Sequence, residues 1–264
     1  MAERHSNFDK GDIMKIDGKH ALVTGGAVGI GLEITRALSA AGASVLVVGR
    51  DRAELESVGR LTPRVTTFVA DLTVADDRER LIEHVSTGAT PLDILVNNAG
   101  TMQYFALTTP DAQVRIDREL ALDLQAPIHL ATALLPRLLE RPEAAIVNVT
   151  TGLVYAPFGN TPAYSTAKAG LHAFTRSLRW QTRLSRLKVI DLLPPAVATE
   201  LTARYDGPKI GPDKVAADLM EGLRTGRDEI RPGQTKALYA LSRIAPGFIF
   251  RALNKQADKV PFDP

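Results

Sequence analysis

Residues 20–31 read His20-Ala-Leu-Val-Thr-Gly-Gly-Ala-Val-Gly-Ile-Gly31, and the fold is decided there. Ala21, Leu22 and Val23 form a short apolar run of the kind buried inside a sheet. Gly25, Gly29 and Gly31 follow directly. Their missing side chains permit a tight turn and the close approach of a phosphate, whose charge meets the N-terminus of the next helix. A helical pattern then runs to Ala41, with Ile30, Ile34 and Leu38 on one face, and Gly42 ends it. Ser44 to Val48 is a second buried run. Strand, glycine turn, helix and strand together fill about thirty residues, the size of one βαβ unit. The spacing is GxxxGxG, not the GxGxxG of the usual dinucleotide fingerprint, yet a strand before and a helix after favour a dinucleotide over a plain turn.

The pattern repeats outward. Strand-like runs occur at 65–70, 94–96, 145–149 and 189–193, and helical patterns at 76–86, 111–140 and 163–184. Such alternation predicts an α/β fold, a three-layer, doubly wound Rossmann-type parallel sheet with helices on both faces. Residues 1–17 read as a polar tail and 18–264 as a single domain. The alternation stops after 200, so 200–264, with one helix at 212–225, is expected to form a substrate lid and C-terminal tail.

Composition narrows the function. The chain has 264 residues, 45% hydrophobic and 23% charged, which is ordinary globular usage. A net charge of +2 gives no case for nucleic acid. There is no cysteine, which excludes disulfides and thiolate metal sites and is compatible with a reducing compartment. The histidines at 5, 20, 84, 129 and 172 have no close ligand spacing, so no metal site is expected. The N-terminus lacks the apolar core of a secretory signal, and no run is long enough to span a bilayer. A cytoplasmic location is expected.

Tyr164 and Lys168 stand four residues apart, on one face of a helix. A free phenol has a pKa of about 10, and a neighbouring ammonium favours the phenolate. Lowering the tyrosine toward neutrality suits a general acid/base. Alone, such a pair also fits two residues on a solvated helix face. Thr151 adds a hydroxyl upstream, able to donate to a developing alkoxide.

Thr24-Gly-Gly-Ala-Val-Gly-Ile-Gly31, Asp71-Leu72, Asn97-Asn-Ala-Gly100, Thr151, Tyr164-x-x-x-Lys168 and Pro194-Pro-Ala-Val-Ala-Thr199 occur in one order. Over roughly residues 18–200 the chain resembles the short-chain dehydrogenase/reductase family. Leu122 to Leu130, Pro194-Pro195 and the Ser242-Arg-Ile-Ala-Pro tail are similar to its DltE-type oxidoreductase branch. The resemblance implies a nicotinamide cofactor and hydride transfer at a carbonyl or alcohol, with Thr151, Tyr164 and Lys168 as catalytic residues. By the same carry-over, Gly25, Gly29, Ile30 and Gly31 would cradle the pyrophosphate. Asp71 and Leu72 would meet the adenine, and Asn98, Ala99 and Gly100 its ribose. Val197 and Thr199 would meet the nicotinamide end, with Tyr164 and Lys168 beside its ribose. Leu72 and Val197 read equally as core, Asn98 as a turn residue and Thr199 as a helix cap.

The resemblance also frames the choice of cofactor. Where the family often has an acid for NAD, this chain has Gly49, and Arg50 follows, well placed for a 2′-phosphate. Asp51 speaks for NAD, as does Val28, where NADP enzymes of the family often carry a base. NADP(H) is favoured over NAD(H). Thr151 stands where the family generally has Ser and keeps the hydroxyl. Asp123 stands where it usually has Asn, at a position that helps a proton relay from the lysine. Pro127 has no N–H, so a helical Asp123 carbonyl would be left free, with a kink. The Asp123 carboxylate would favour charged lysine and oppose tyrosinate.

An oxidoreductase of small carbonyl or alcohol substrates is therefore expected, as a homodimer or homotetramer through 111–140 and 163–184. The alternative is a non-catalytic NADP(H)-binding sensor or subunit. Residues 224–259 carry eight basic and three acidic side chains interleaved with apolar ones. That pattern reads first as an amphipathic lid or interface helix, and second as peripheral contact with an anionic membrane.

Overall fold

The computed structural model describes residues 14–60, 63–257 and 259–263. Among the described residues seven strands form one sheet: β1 (His20–Thr24), β2 (Ser44–Gly49), β3 (Val65–Val69), β4 (Ile94–Asn97), β5 (Ala144–Val149), β6 (Leu187–Leu192) and β7 (Glu229–Ile230). Their order is β3-β2-β1-β4-β5-β6-β7 and every pairing is parallel. The winding reverses between β1 and β4, and ligands of such sheets sit in the crevice beyond the strand ends at that switch. β4 and β5 are buried at every residue, as strands covered on both faces must be.

Helices supply the outer layers. On one side α1 (Gly29–Ala40), α2 (Arg52–Gly59) and α7 (Pro212–Thr225) bury Ile34, Leu38, Leu55, Leu219 and Leu223. On the other, α3 (Ala75–Thr87), α5 (Ala126–Leu139) and α6 (Pro162–Gln181) bury Leu81, Leu130, Leu134, Leu138 and Leu178. α4 (Ala112–Leu120) packs against α6, while α8 (Thr235–Ile244) and α9 (Pro246–Ala257) pack on each other.

Four features differ from the sequence reading. Met14 and Ile16, assigned to the polar tail, are buried in the core, so packing begins before residue 18; residues 1–13 lie outside the described residues. α2 was not expected. The single helical region at 111–140 is α4 and α5 joined by a π-helical turn, Ala121–Gln125, where the Ala126 N–H reaches back to the Ala121 carbonyl. That distortion precedes Pro127, where a kink was expected. Finally, α7 packs on α1 and β7 extends the sheet, so those parts of 200–264 belong to the scaffold and the lid is narrower than expected.

A buried polar thread crosses the centre. Asn97 Nδ2 donates to Asn148 Oδ1 at 2.8 Å, and Asn148 Nδ2 donates to Thr175 Oγ1 at 2.8 Å. It links β4, β5 and α6 through fully buried side chains whose amide N–H groups find acceptors inside the protein.

Candidate active site

The turn after β1 is built for a close-approaching ligand. Gly25 and Gly29 have φ of 61° and 54°, the left-handed region that disfavours side chains. A Cβ on Gly31 would lie 2.1 Å from the Gly25 carbonyl oxygen, so only glycine fits there. At Gly29 a Cβ would face Thr199, 3.1 Å from its methyl, which brings the 197–199 loop beside the turn. Asn98 Nδ2 donates to the carbonyls of Thr24 and Gly25, at 3.0 and 3.1 Å, and Thr24 Oγ1 accepts from the N–H groups of Asn98 and Ala99. The Asn98 side chain therefore holds the turn. Asp71 Oδ1 accepts from the N–H and hydroxyl of Thr73, bonds that pull its carboxyl below the usual range against the opposing effect of burial. Leu72 and Val197 are buried, and the Val197 carbonyl accepts from Thr199 N–H and Thr202 Oγ1.

At the end of β2, Arg50 is exposed. The Asp51 carboxylate is engaged elsewhere: it caps α2, accepting from Ala53 and Glu54 N–H at 2.8 and 3.1 Å.

α6 carries the second half of the site. Pro162 opens it, and Tyr164, Lys168, Leu171, Thr175 and Leu178 lie along its buried stripe. A lysine in that stripe needs a partner, because an unpaired buried charge is costly. Lys168 Nζ lies 3.1 Å from Asp123 Oδ1 and donates to the Val149 carbonyl at 3.0 Å. The π-helical turn delivers Asp123, whose Oδ2 accepts from Thr101 N–H at 3.0 Å. Burial raises the Asp123 carboxyl above its usual range, opposed by the Lys168 ammonium and the Thr101 N–H. Gly100 is confined to glycine by this pair, since a Cβ there would lie 2.5 Å from Asp123 Oδ1.

The Thr151 hydroxyl lies close enough to the Tyr164 phenol to influence it. Its phenol is not drawn toward neutrality as the sequence reading expected. Burial pushes it above 10, the Asp123 carboxylate adds to the rise, and the Thr151 hydroxyl opposes both. Lys168 Nζ sits 5.7 Å from the ring centroid, and its charge is already paired with Asp123. The arrangement holds a neutral phenol, a proton donor, beside a hydroxyl.

A family model for short chain dehydrogenases matches residues 19–208. This chain belongs to the short-chain dehydrogenase family. It is 33% identical over 252 residues to the uncharacterized oxidoreductase DltE of Bacillus subtilis strain 168, covering 92% of this chain and 99% of that protein. Among solved structures, it resembles a short-chain dehydrogenase from Burkholderia cenocepacia in complex with NADP, with a TM-score of 0.80 and 24% identity over 91% of this chain and 99% of that one. A short-chain dehydrogenase from Sphingobium yanoikuyae in complex with NADPH gives a TM-score of 0.76 at 25% identity, covering 88% and 95%.

In this short-chain dehydrogenase, Thr151 and Tyr164 open onto a cavity of about 220 Å³. Its wall is mainly apolar, with Met102, Phe158, Leu201, Tyr205, Leu238 and Leu253, and no charged side chain lines it among the described residues. α8 and α9 thus reach the cavity through Leu238 and Leu253.

Two buried groups escaped the sequence reading. Glu119 is fully buried on α4; its Oε1 accepts from Gln103 N–H at 2.5 Å, and Oε2 has no partner among the described residues. Burial pushes its carboxyl up to about 8. Its one sequence signal was its place four residues before Asp123. Asp191, on β6, accepts from Thr150 Oγ1 and pairs with His172 Nδ1, both at 2.5 Å, and so ties α6 to β6. Its partners come from separate segments, so nothing local announced it.

Proposed function

We propose that the protein is an NADP(H)-dependent oxidoreductase that interconverts an uncharged small-molecule carbonyl compound and its alcohol. One observation carries the reading: a buried tyrosine and the Thr151 hydroxyl line one apolar cavity, with the Lys168–Asp123 pair beside them.

The cofactor fits the residues present. Gly25, Gly29 and Gly31 leave a concave turn at the N-terminus of α1, where backbone N–H groups and the helix dipole favour a phosphate. Ile30 would lie at the same cradle, Asp71 and Leu72 at the adenine, Asn98 to Gly100 and Lys168 along the riboses, and Val197 and Thr199 at the nicotinamide. Arg50 is exposed at the end of β2, its charge near Asp71, and would meet a 2′-phosphate there, while Asp51 is committed to capping α2, which supports NADP(H) over NAD(H). A bound nicotinamide supplies or accepts the hydride.

The chain's own groups manage the oxygen and its proton. In the reducing direction Tyr164 donates its proton to the carbonyl oxygen, and Thr151 stabilises the charge that develops there. Burial makes Tyr164 a firm holder of its proton, ready for this direction. Lys168, held by Asp123 and the Val149 carbonyl, is a fixed positive charge beside the phenolate that remains. The apolar wall excludes water and strengthens these interactions. Val114, Trp180 and Leu184, exposed on α4 and at the end of α6, support association of copies through those helices as a dimer or tetramer.

The test is a panel of ketones and aldehydes with NADPH and NADH, followed by nicotinamide absorbance. Turnover with NADPH that Tyr164→Phe abolishes is the expected result. Tight NADPH binding with no turnover on a broad panel supports a nucleotide-binding sensor instead.

A further inference from the structure

α8 and α9 have two functional faces. Leu238, Ile249, Leu253 and Ala257 turn inward, toward the cavity and the scaffold. Leu241, Ile244, Phe248 and Phe250 turn outward around the bend between the helices, with Ile244 82% and Phe248 63% exposed. Lys236, Arg243, Arg251 and Lys255 are exposed on the same pair of helices, and no acid occurs from 235 to 257. The whole chain is only +2, so positive charge is concentrated on one apolar hairpin.

We infer that the α8–α9 hairpin is a docking element for an anionic lipid surface. Bulky apolar side chains at the bend can enter the boundary between headgroups and acyl chains, while the cations meet anionic headgroups. A second copy fits the face poorly. A two-fold contact is self-complementary in position, so it would set these four cations against the same four. The contact is peripheral, because no described helix is long and apolar enough to cross a membrane. Docking also places the wall formed by Leu238 and Leu253 near the lipid. Resting on the proposed oxidoreductase activity, this makes the substrate an apolar carbonyl or alcohol that partitions into bilayers.

The test uses the full chain, sedimented with phosphatidylcholine vesicles with or without phosphatidylglycerol. Binding is expected only with the anionic lipid, and is lost near 1 M salt, where charges are screened within about 3 Å. Replacing the four cations by Gln is expected to weaken binding by about five-fold per charge removed. Ile244→Ser with Phe248→Ser is expected to abolish it, with circular dichroism and NADPH binding unchanged. The inference is overturned if anionic vesicles bind no better than neutral ones, or if both variants still bind. It is also overturned if the apolar variant instead lowers the oligomeric state by light scattering, which assigns the face to a second copy. Vesicle binding needs no turnover, so it is separable from the enzymatic reading. Faster reduction of a vesicle-dissolved long-chain aldehyde in the wild type than in the apolar variant supports the substrate class. Reduction of water-soluble ketones alone removes that class and leaves docking standing, and no reduction of any carbonyl removes the activity alone.

Discussion

Asp123 Oδ1 stands 3.1 Å from Lys168 Nζ, with both side chains withdrawn from water. The pair fixes the lysine and sets a negative charge near Tyr164, where it opposes phenolate. The charge at position 123 is thus felt at the tyrosine as well as at the lysine.

Asp123→Asn keeps an acceptor for Thr101 N–H and removes the charge. Tyr164 then loses an influence that raises it, so its titration moves to lower pH. In alcohol oxidation, which needs the phenolate, the rising limb of the pH–rate profile is expected at lower pH than in the wild type. In reduction the falling limb shifts the same way. Profiles that superimpose in both directions remove the charge from the mechanism.

Tyr164→Phe is expected to lower kcat by about 10²- to 10⁴-fold, the usual worth of a positioned acid. Thr151→Val is expected to cost about 10²- to 10³-fold, and Thr151→Ser only a few-fold, because serine keeps the donor. Quenching of protein fluorescence by NADPH is expected to report unchanged cofactor affinity in Thr151→Val.

Arg50→Ala is expected to weaken NADPH binding by about ten-fold or more, the worth of a charge-assisted bond, and to leave NADH unaffected. Asp51→Ala behaves in the opposite way. It removes the cap of α2 and costs about 1 kcal/mol of stability, with little effect on either nucleotide. A large gain in NADPH affinity in Asp51→Ala contradicts the assignment of that carboxylate to capping.

Glu119 makes stability depend on pH. Its carboxyl titrates at about 8 in the folded protein against an ordinary value of 4.5. Between those values the native state holds a proton that the unfolded chain has released. The contribution is therefore full below about 4.5 and lost as pH rises through 8. Glu119→Gln keeps an acceptor for Gln103 N–H and cannot ionise. Its advantage over the wild type in thermal melting is expected to grow with pH, reaching a few kcal/mol, roughly, at alkaline pH. A constant difference across the range counts against this origin.

The fold was readable where one residue pattern admits one structure. An apolar run, three glycines and an amphipathic helix describe β1 to α1 without help from the rest of the chain. α2 was lost because eight residues bury only Leu55 and Val58, and its clearest mark, Asp51, also reads as a ribose ligand. β7 is two residues long and exists through its pairing with β6, which no local pattern encodes. The π-helical turn is a change of hydrogen-bond register, and only Pro127 hinted at it. Tyr164, Lys168 and Thr151 were legible by type and order. The height of the tyrosine's pKa was not, since it depends on burial and on Asp123 arriving from another helix.

The thread from Asn97 through Asn148 to Thr175 has a consequence for how this protein can change. It welds β4, which runs into Asn98 beside the glycine turn, its neighbour β5 and the tyrosine's helix into one unit. Leu238 and Leu253 stand outside that unit, on helices that touch the cavity from above. What is transformed can therefore be renegotiated by rewriting the hairpin, while the means of transforming it stays on an inherited chassis.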